Sequence, residues 1–411
     1  MNTNNLQFQM DSDLDLLPQG ISSTRILKIS VQAPIGAQNT RPSLNLALVL
    51  DRSGSMSGDK LTYVKHAAAH ILNLLQEQDT VALVAYDDEI NLLAISTPVT
   101  SSNRTMLKQH ISHLEPGGST NLSGGWLAGC QEAASASREG TVNRTLLLTD
   151  GQANVGIQDL EELSRHAKEI SRRGVSTSTF GVGEGFNEHL LEAMSNQGGG
   201  NFYYIDHPNS IPDLFMREFK ELAAVTAREV EITLNFPANW VLQVPGGWRT
   251  HFSEGCLRIH LGTLFSGQTQ EIFIRINIPE YNNQNENPAI KAGISWKGEK
   301  DLQFESFAEI RYSLVDQTSF SSFLPRRDVM EGFALVYLAE IATDALKLER
   351  QGKNQHAGHV LNQAIIEFQN FINPNEVDKF KYMATRMIHG MDEHDRKASH
   401  FNNYNQKRGK I

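Results

Sequence analysis

The sequence predicts an α/β chain. A doubly wound, mostly parallel sheet of the Rossmann-like kind is joined to, or inserted in, an antiparallel β-sandwich, and a small helical region follows. Three observations predict this. Between about residues 44 and 225, short apolar runs alternate with amphipathic helical stretches, the pattern of strands buried on both faces. At Arg228 the period of hydrophobicity changes to two residues. From Asp328 the helical period returns.

The elements follow in order. Residues 1–43 form a polar amino-terminal stretch, loose over 1–22. It contains one alternating strand, Thr24–Pro34, with Leu27, Ile29 and Val31 on one face, expected to join the sandwich. Gly36–Ser43 reads as a linker. Residues 44–225 form the α/β domain. Its strands are Leu44–Leu50, Thr80–Tyr86, Arg144–Thr149, Val175–Val182 and Asn201–Ile205. Helices fall between them, the first carrying Leu61, Val64, Ala68, Ile71 and Leu72 on one face. Residues 226–316 give the sandwich, with rows such as Val230, Ile232, Leu234 and Ile272, Ile274, Ile276. Ser319–Pro325 is a hinge, and residues 326–390 hold three helices expected to form a separable unit. Residues 391–411 are polar and expected to be disordered.

Composition excludes several classes. With 37 Lys+Arg against 47 Asp+Glu, the net charge of −10 argues against binding nucleic-acid backbones. Two cysteines, Cys130 and Cys256, cannot build a Cys-based zinc finger, an iron–sulfur cluster or a disulfide framework. Both are expected to be buried free thiols, as in a reducing compartment. No apolar run reaches the ~18 residues of a membrane span. Residues 1–20 have no basic or apolar leader character, so no signal peptide and a cytoplasmic location are expected.

Three segments carry chemistry. Asp51-Arg52-Ser53-Gly54-Ser55 follows the first apolar strand. Gly117-Gly118-Ser119-Thr120-Asn121 is a loop. Thr149-Asp150-Gly151 ends the third apolar strand. All three fall at the carboxyl end of the sheet, where open α/β sheets bind ligands. Two carboxylates and three hydroxyls make a set of hard oxygen donors. Such a set suits Mg²⁺, Mn²⁺ or Ca²⁺ rather than zinc or copper. Gly54 permits the tight turn that points three side chains one way. With three neutral hydroxyls among the donors, the ion stays electrophilic, and an outside carboxylate can complete its shell.

Leu44–Ala224 resembles a von Willebrand factor type A domain. Asp51, Ser53, Ser55, Thr120 and Asp150 match all five positions of that family's metal-ion-dependent adhesion site. The resemblance implies that the hydroxyls contact the ion and the carboxylates ligate it directly or through water. It also implies a non-catalytic scaffold that captures an Asp or Glu of a protein partner. The flanks resemble bacterial and eukaryotic proteins in which such a domain interrupts a β-sandwich and helices follow; the bacterial intracellular type fits best. Three other readings compete. One is an adaptor of an ATP-driven complex of the chelatase or MoxR-partner type, with an ATPase partner. Another is a metal-dependent hydrolase, although no nearby general base is identifiable. The third is a secreted adhesin.

Other features have plain structural readings. His66 and His70, four apart, lie opposite the apolar face of the first helix without a third ligand. Asp87-Asp88-Glu89 follows the second strand and reads as a turn, with an acidic rim near the metal as the alternative, and Gly181–Gly185 and Gly198–Gly200 read as turns. The sequons at Asn103, Asn121 and Asn143 read as chance. Trp126 is expected in the core and Trp248 exposed in a Pro-Gly-Gly-Trp turn.

Overall fold

From residue 5 on, the amino-terminal stretch is not loose. In the computed structural model, which describes residues 5–35, 42–151, 153–223, 225–282, 287–298 and 302–409, Gln7–Ser12 is strand β1. Leu6 and Met10 are buried and Phe8 half-buried, a period-two row hidden among polar residues. Leu16–Pro18 (β2) and Ser23–Gln32 (β3) follow, and β1 pairs antiparallel with β3. Asp13 anchors the bend between them. It accepts from the Ile26 N–H at 2.8 Å and pairs with Arg25 at 2.9 Å. The expected linker Gly36–Ser43 lies, up to residue 41, outside the described residues.

The chain divides into two compact units, one from Met1–Gly36 with Thr226–Ile411 and one from Ala37–Val225. The second interrupts the first in sequence. Its elements are β4 (Leu44–Asp51), α1 (Asp59–Leu74), β5 (Thr80–Tyr86), β6 (Ile90–Pro98), α2 (Ser101–Ser112), α3 (Leu122–Ser135), β7 (Val142–Thr149), α4 (Leu160–Arg172), β8 (Val175–Val182), α5 (Glu188–Gln197), β9 (Gly199–Ile205) and α6 (Ile211–Ala223). The six strands order as β6-β5-β4-β7-β8-β9. All neighbours are parallel except β5 and β6. Every residue of β4 is buried, as a central parallel strand requires. β6 is the element that the apolar-run criterion misses. It is an edge strand whose only apolar run, Leu92–Ile95, is short and partly exposed, with no residue of the strand fully buried.

The chain then returns to the first unit with β10 (Val225–Asn235), β11 (Val241–Gln243), β12 (Arg249–Ser253), β13 (Cys256–Phe265), β14 (Thr269–Ile278), β15 (Ala289–Lys297), β16 (Gln303–Arg311) and β17 (Ser313–Val315). These build a four-stranded sheet, β1-β3-β14-β11, a five-stranded sheet, β12-β13-β10-β15-β16, and a short β17-β2 pair. The two larger sheets share one apolar core. Leu27, Ile29, Ile272, Ile274 and Ile276 come from one sheet, and Val230, Ile232, Leu257, Ile290 and Ile294 from the other. Strand β3 pairs along its whole length with β14, Ser23↔Ile278 to Gln32↔Thr269.

Helices α7 (Gln317–Phe320), α8 (Arg327–Arg350), α9 (Asn354–Phe368), α10 (Pro374–His389) and α11 (Glu393–Lys407) complete the unit. The expectation of a separable helical unit is corrected. Ile26 of β3 and Phe273 of β14 turn away from the sheet core and pack with Val329, Met330 and Phe333 of α8. Gly332 allows this approach, since a Cβ there would overlap the Phe273 ring.

The expectation of a disordered tail at 391–411 is corrected too. Its stretch 393–407 is helix α11, whose buried residues are largely polar, including Lys397, His400, Asn403 and Tyr404. Hydropathy does not register burial of that kind. The tail also explains Trp248, which is 8% exposed and covered by Arg408, its guanidinium 4.3 Å from the ring centroid. Cys130 is buried as expected, but Cys256, at the tight β12–β13 hairpin, is half-exposed; both are free thiols. Among the described residues no helix is long and apolar enough to cross a membrane.

Arg396 of α11 ties the tail to α8. Its Nε and Nη2 donate to the two oxygens of buried Glu349 at 2.6 and 2.7 Å, a bidentate pair. Arg396→Met leaves that carboxylate buried without its partner. It is expected to lower the unfolding free energy by about 2 kcal/mol, whereas Arg396→Lys, which keeps the charge, should lose less. Urea denaturation of wild type and the two variants measures this, and an unchanged midpoint would show that the Arg396–Glu349 pair adds nothing to stability.

Candidate metal centre

The strand order reverses at β4, which lies between β5 and β7. The carboxyl ends of β4 and β7 therefore open the crevice in which such sheets hold ligands. Asp51 is the last residue of β4, and Asp150 directly follows β7. Both are fully buried, Ser53 and Thr120 nearly so, while Ser55 is exposed. The centre thus has a buried floor and one open side.

Hydrogen bonds draw the three segments together. Asp51 Oδ1 accepts from the Ser53 N–H at 2.8 Å, and Oδ2 accepts from Thr149 Oγ1 at 2.5 Å. The Ser53 and Ser55 hydroxyls lie 3.2 Å apart, and Ser55 Oγ donates to Asp150 Oδ1 at 2.8 Å. Thr120 stands on the far side. A Cβ built at Gly151 would be 3.2 Å from Thr120 Oγ1 and 3.5 Å from Ser55 Oγ, so both hydroxyls flank the same stretch of backbone. The structure brings together all five residues singled out in the sequence.

The loops are held by backbone bonds. Gly117 N–H donates to Arg52 O at 2.7 Å and Gly54 N–H to Gly118 O at 2.8 Å. Thr120 N–H donates to Asn154 Oδ1 at 2.7 Å, and Thr120 O accepts from Asn154 and Val155 N–H groups. Asn121 caps α3 by accepting from Gly124 N–H at 3.0 Å.

Asp87 is more than the turn residue expected. It is buried, pairs with Arg52 at 2.9 Å, and accepts from Gly118 N–H at 3.2 Å. It joins the first two loops from the end of β5. Position supplied the clue: Asp87 follows an apolar strand directly, as Asp51 and Asp150 do. Thr149 and Lys60, which bonds Asp150, were missed as well. His66 is exposed and His70 half-buried. Among the described residues no third Cys, His or carboxylate joins them.

Burial pushes the Asp51 carboxyl up from its ordinary 3.8, hydrogen bonds from Thr149 and Ser53 oppose the rise, and the nearby Asp150 adds to it. Tyr86, the register partner of Asp51 in the sheet, is fully buried. Burial raises this phenol far above its usual value, so it stays neutral. Two close carboxylates, one disfavoured as an anion, with hydroxyl oxygens beside them, fit a hard divalent cation. Asp51, Ser53, Ser55, Thr120 and Asp150 are the residues that would hold it, and bound there it supplies a Lewis-acidic point of positive charge.

Comparison with known proteins agrees with this fold. Residues 45–217 match the family model of the von Willebrand factor type A domain. The chain contains a von Willebrand factor type A domain. The uncharacterized protein YfbK of Escherichia coli is 31% identical over 242 residues, which cover 58% of this chain and 41% of that protein. Less than half of that relative is therefore represented in the match. Two solved structures are similar over most of the chain. A von Willebrand factor type A protein from Catenulispora acidiphila has a TM-score of 0.69 at 15% identity, covering 89% of this chain and 88% of its own. The ArnB paralog VWA2 from Sulfolobus acidocaldarius has a TM-score of 0.65 at 16% identity, covering 99% of each. At these identities the likeness is one of fold. It extends beyond the von Willebrand factor type A domain to the sheets and helices around it.

The raised Asp51 value predicts a pH effect in metal-free protein. A carboxyl raised in the folded state contributes most when protonated, below 3.8, and its contribution is lost as the pH rises through the folded value. At pH 7 the Asp51 charge therefore weighs against the metal-free fold. Asp51→Asn in EDTA at pH 7 is expected to melt at or above the wild-type temperature, with the difference shrinking as the pH falls toward about 4. Circular-dichroism melts read this, and a clearly less stable variant at pH 7 would contradict it.

Proposed function

We propose that the von Willebrand factor type A domain binds one divalent cation, Mg²⁺ or else Mn²⁺ or Ca²⁺, at a metal-ion-dependent adhesion site. Asp51, Ser53, Ser55, Thr120 and Asp150 hold the ion. The loaded centre captures an Asp or Glu side chain of a protein partner, without catalysis. The observation that carries this is the continuous link Ser53–Ser55–Asp150, which joins oxygen donors of two loops around an opening on the Ser55 side. The buried floor shields the carboxylates from water, so charge compensation by an ion is worth more there than at an open surface. Two free thiols suit a reducing compartment, and a cytoplasmic location belongs to the same proposal.

Calorimetric titration of Mg²⁺ and Mn²⁺ tests the reading. Wild type should bind one ion, and at a hundred times the Kd the ion should stabilise it by about 2.7 kcal/mol. Asp150→Ala should bind none. Thr120→Ala removes a neutral ligand and no charge, so it should fold as wild type and bind more weakly. Recovery of protein partners from native lysate should need Mg²⁺ and fail in EDTA and in Asp150→Ala. Equal metal binding by wild type and Asp150→Ala would refute the proposal.

A further inference from the structure

Lys60 stands where helix electrostatics disfavour it. It is the second residue of α1, at the end carrying partial positive charge, where acidic residues are preferred. Its ammonium nevertheless reaches the centre. Nζ lies 2.5 Å from Asp150 Oδ2 and 3.4 Å from the Ser55 carbonyl oxygen. The Lys60 side chain is 34% exposed and that of Asp150 fully buried, so the pair sits at the rim.

The glycine-rich turn after β8 leaves room for this reach. Gly183, at φ +66°, lies against the lysine stem, and a Cβ there would come within 3.3 Å of Lys60 Cε. A Cβ at Gly185 would lie 2.6 Å from the Asp150 carbonyl oxygen and 3.8 Å from Lys60 Nζ. Side chains at these two positions would crowd the lysine or the aspartate it serves. The Gly181–Gly185 segment thus has a purpose beyond turning the chain. A residue placed against its local preference, with a slot built for it, is the pattern expected of a functional position.

We propose that Lys60 is a tethered counter-cation of the metal centre, weakening its hold on the divalent ion while setting the charge that recruits an acidic ligand. This rests on the metal reading above. Asp51 and Asp150 bring two negative charges and Lys60 one positive. A dication leaves the centre at plus one, and one incoming carboxylate brings it to zero. Arg52 and Asp87 pair with each other and leave the count unchanged. Without Lys60 the same dication already neutralises the centre, so the ion is held more tightly and a carboxylate is wanted less. The two effects have opposite sign, which a merely structural role for Lys60 would not produce.

Lys60→Met keeps most of the stem and removes the charge; Lys60→Arg keeps a charge. Mn²⁺ is titrated into each protein and its uptake followed by electron paramagnetic resonance. Acetate is then added as the carboxylate probe and followed by water-proton relaxation. Lys60→Met is expected to bind Mn²⁺ on the order of tenfold more tightly than wild type, and its Mn²⁺-loaded form to bind acetate more weakly by a similar factor. Lys60→Arg should move both values back toward wild type. In EDTA, Lys60→Met should melt about 2–4 °C lower, because the buried carboxylates lose their partner. Mn²⁺ binding by Lys60→Met that is unchanged or weaker, acetate binding that is unchanged, or an EDTA melting temperature that does not fall would overturn this proposal and leave the metal centre standing. Absence of Mn²⁺ uptake by wild type would overturn the metal reading, and this proposal with it.

Discussion

The carboxylate of Asp51 is the constraint around which the α/β unit is arranged. It ends the most buried strand of the sheet and has no exposed surface. A charge in that place is costly unless donors surround it. Thr149 and the Ser53 backbone supply two. Each donor fixes a loop: Thr149 brings the end of β7, and Ser53 bends the chain into the turn that delivers Ser55. Asp150 and the Ser55 hydroxyl then close the figure. The turn that delivers Ser55 and the approach of the β7 end to it both follow from satisfying one buried group.

How much of this was legible in the sequence depended on how directly each feature shows in hydropathy. Strands β4, β5 and β7 show as largely apolar runs, as parallel strands covered on both faces do, while β8 carries buried Thr177, Ser178 and Thr179 and shows less directly. Asp51, Ser53, Ser55 and Asp150 were legible because they follow those runs, and Thr120 through its glycine-rich loop. Edge strand β6 was not, since half its side chains meet solvent. Strand β1 was hidden because only Leu6, Phe8 and Met10 mark its inner face. Helix α11 was hidden for a different reason: its buried side chains are largely polar. Lys60 depends on a contact across loops, with Asp150, which no local pattern announces.

The α/β unit buries polar groups in two different ways. In the α/β unit a network centred on Glu218 is internal: Arg144, Ser178, Asn201 and Tyr203 all donate to its two oxygens. It binds α6 to β7, β8 and β9 and leaves the carboxylate fully enclosed. At the candidate metal centre, by contrast, two equally buried carboxylates stand behind exposed Ser55, where the site opens. The same residue type serves packing in one place and is held available in the other, and the difference lies in how many donors the surrounding elements provide.

The interruption of one unit by the other has a consequence for biosynthesis. Ile29 of β3 pairs with Ile272 of β14, more than two hundred residues later. At ribosomal speeds β3 waits roughly ten to fifty seconds for its partner. During that interval Leu27, Ile29 and Val31, completely buried in the finished protein, have no strand of β14 to cover them. The intervening α/β unit has its own sheet and core, and it can fold while the first strand is still waiting. Nascent chains therefore pass through a stage with a finished domain behind an unsatisfied β edge, the kind of surface that chaperones hold and that neighbouring ribosomes' products join by mistake.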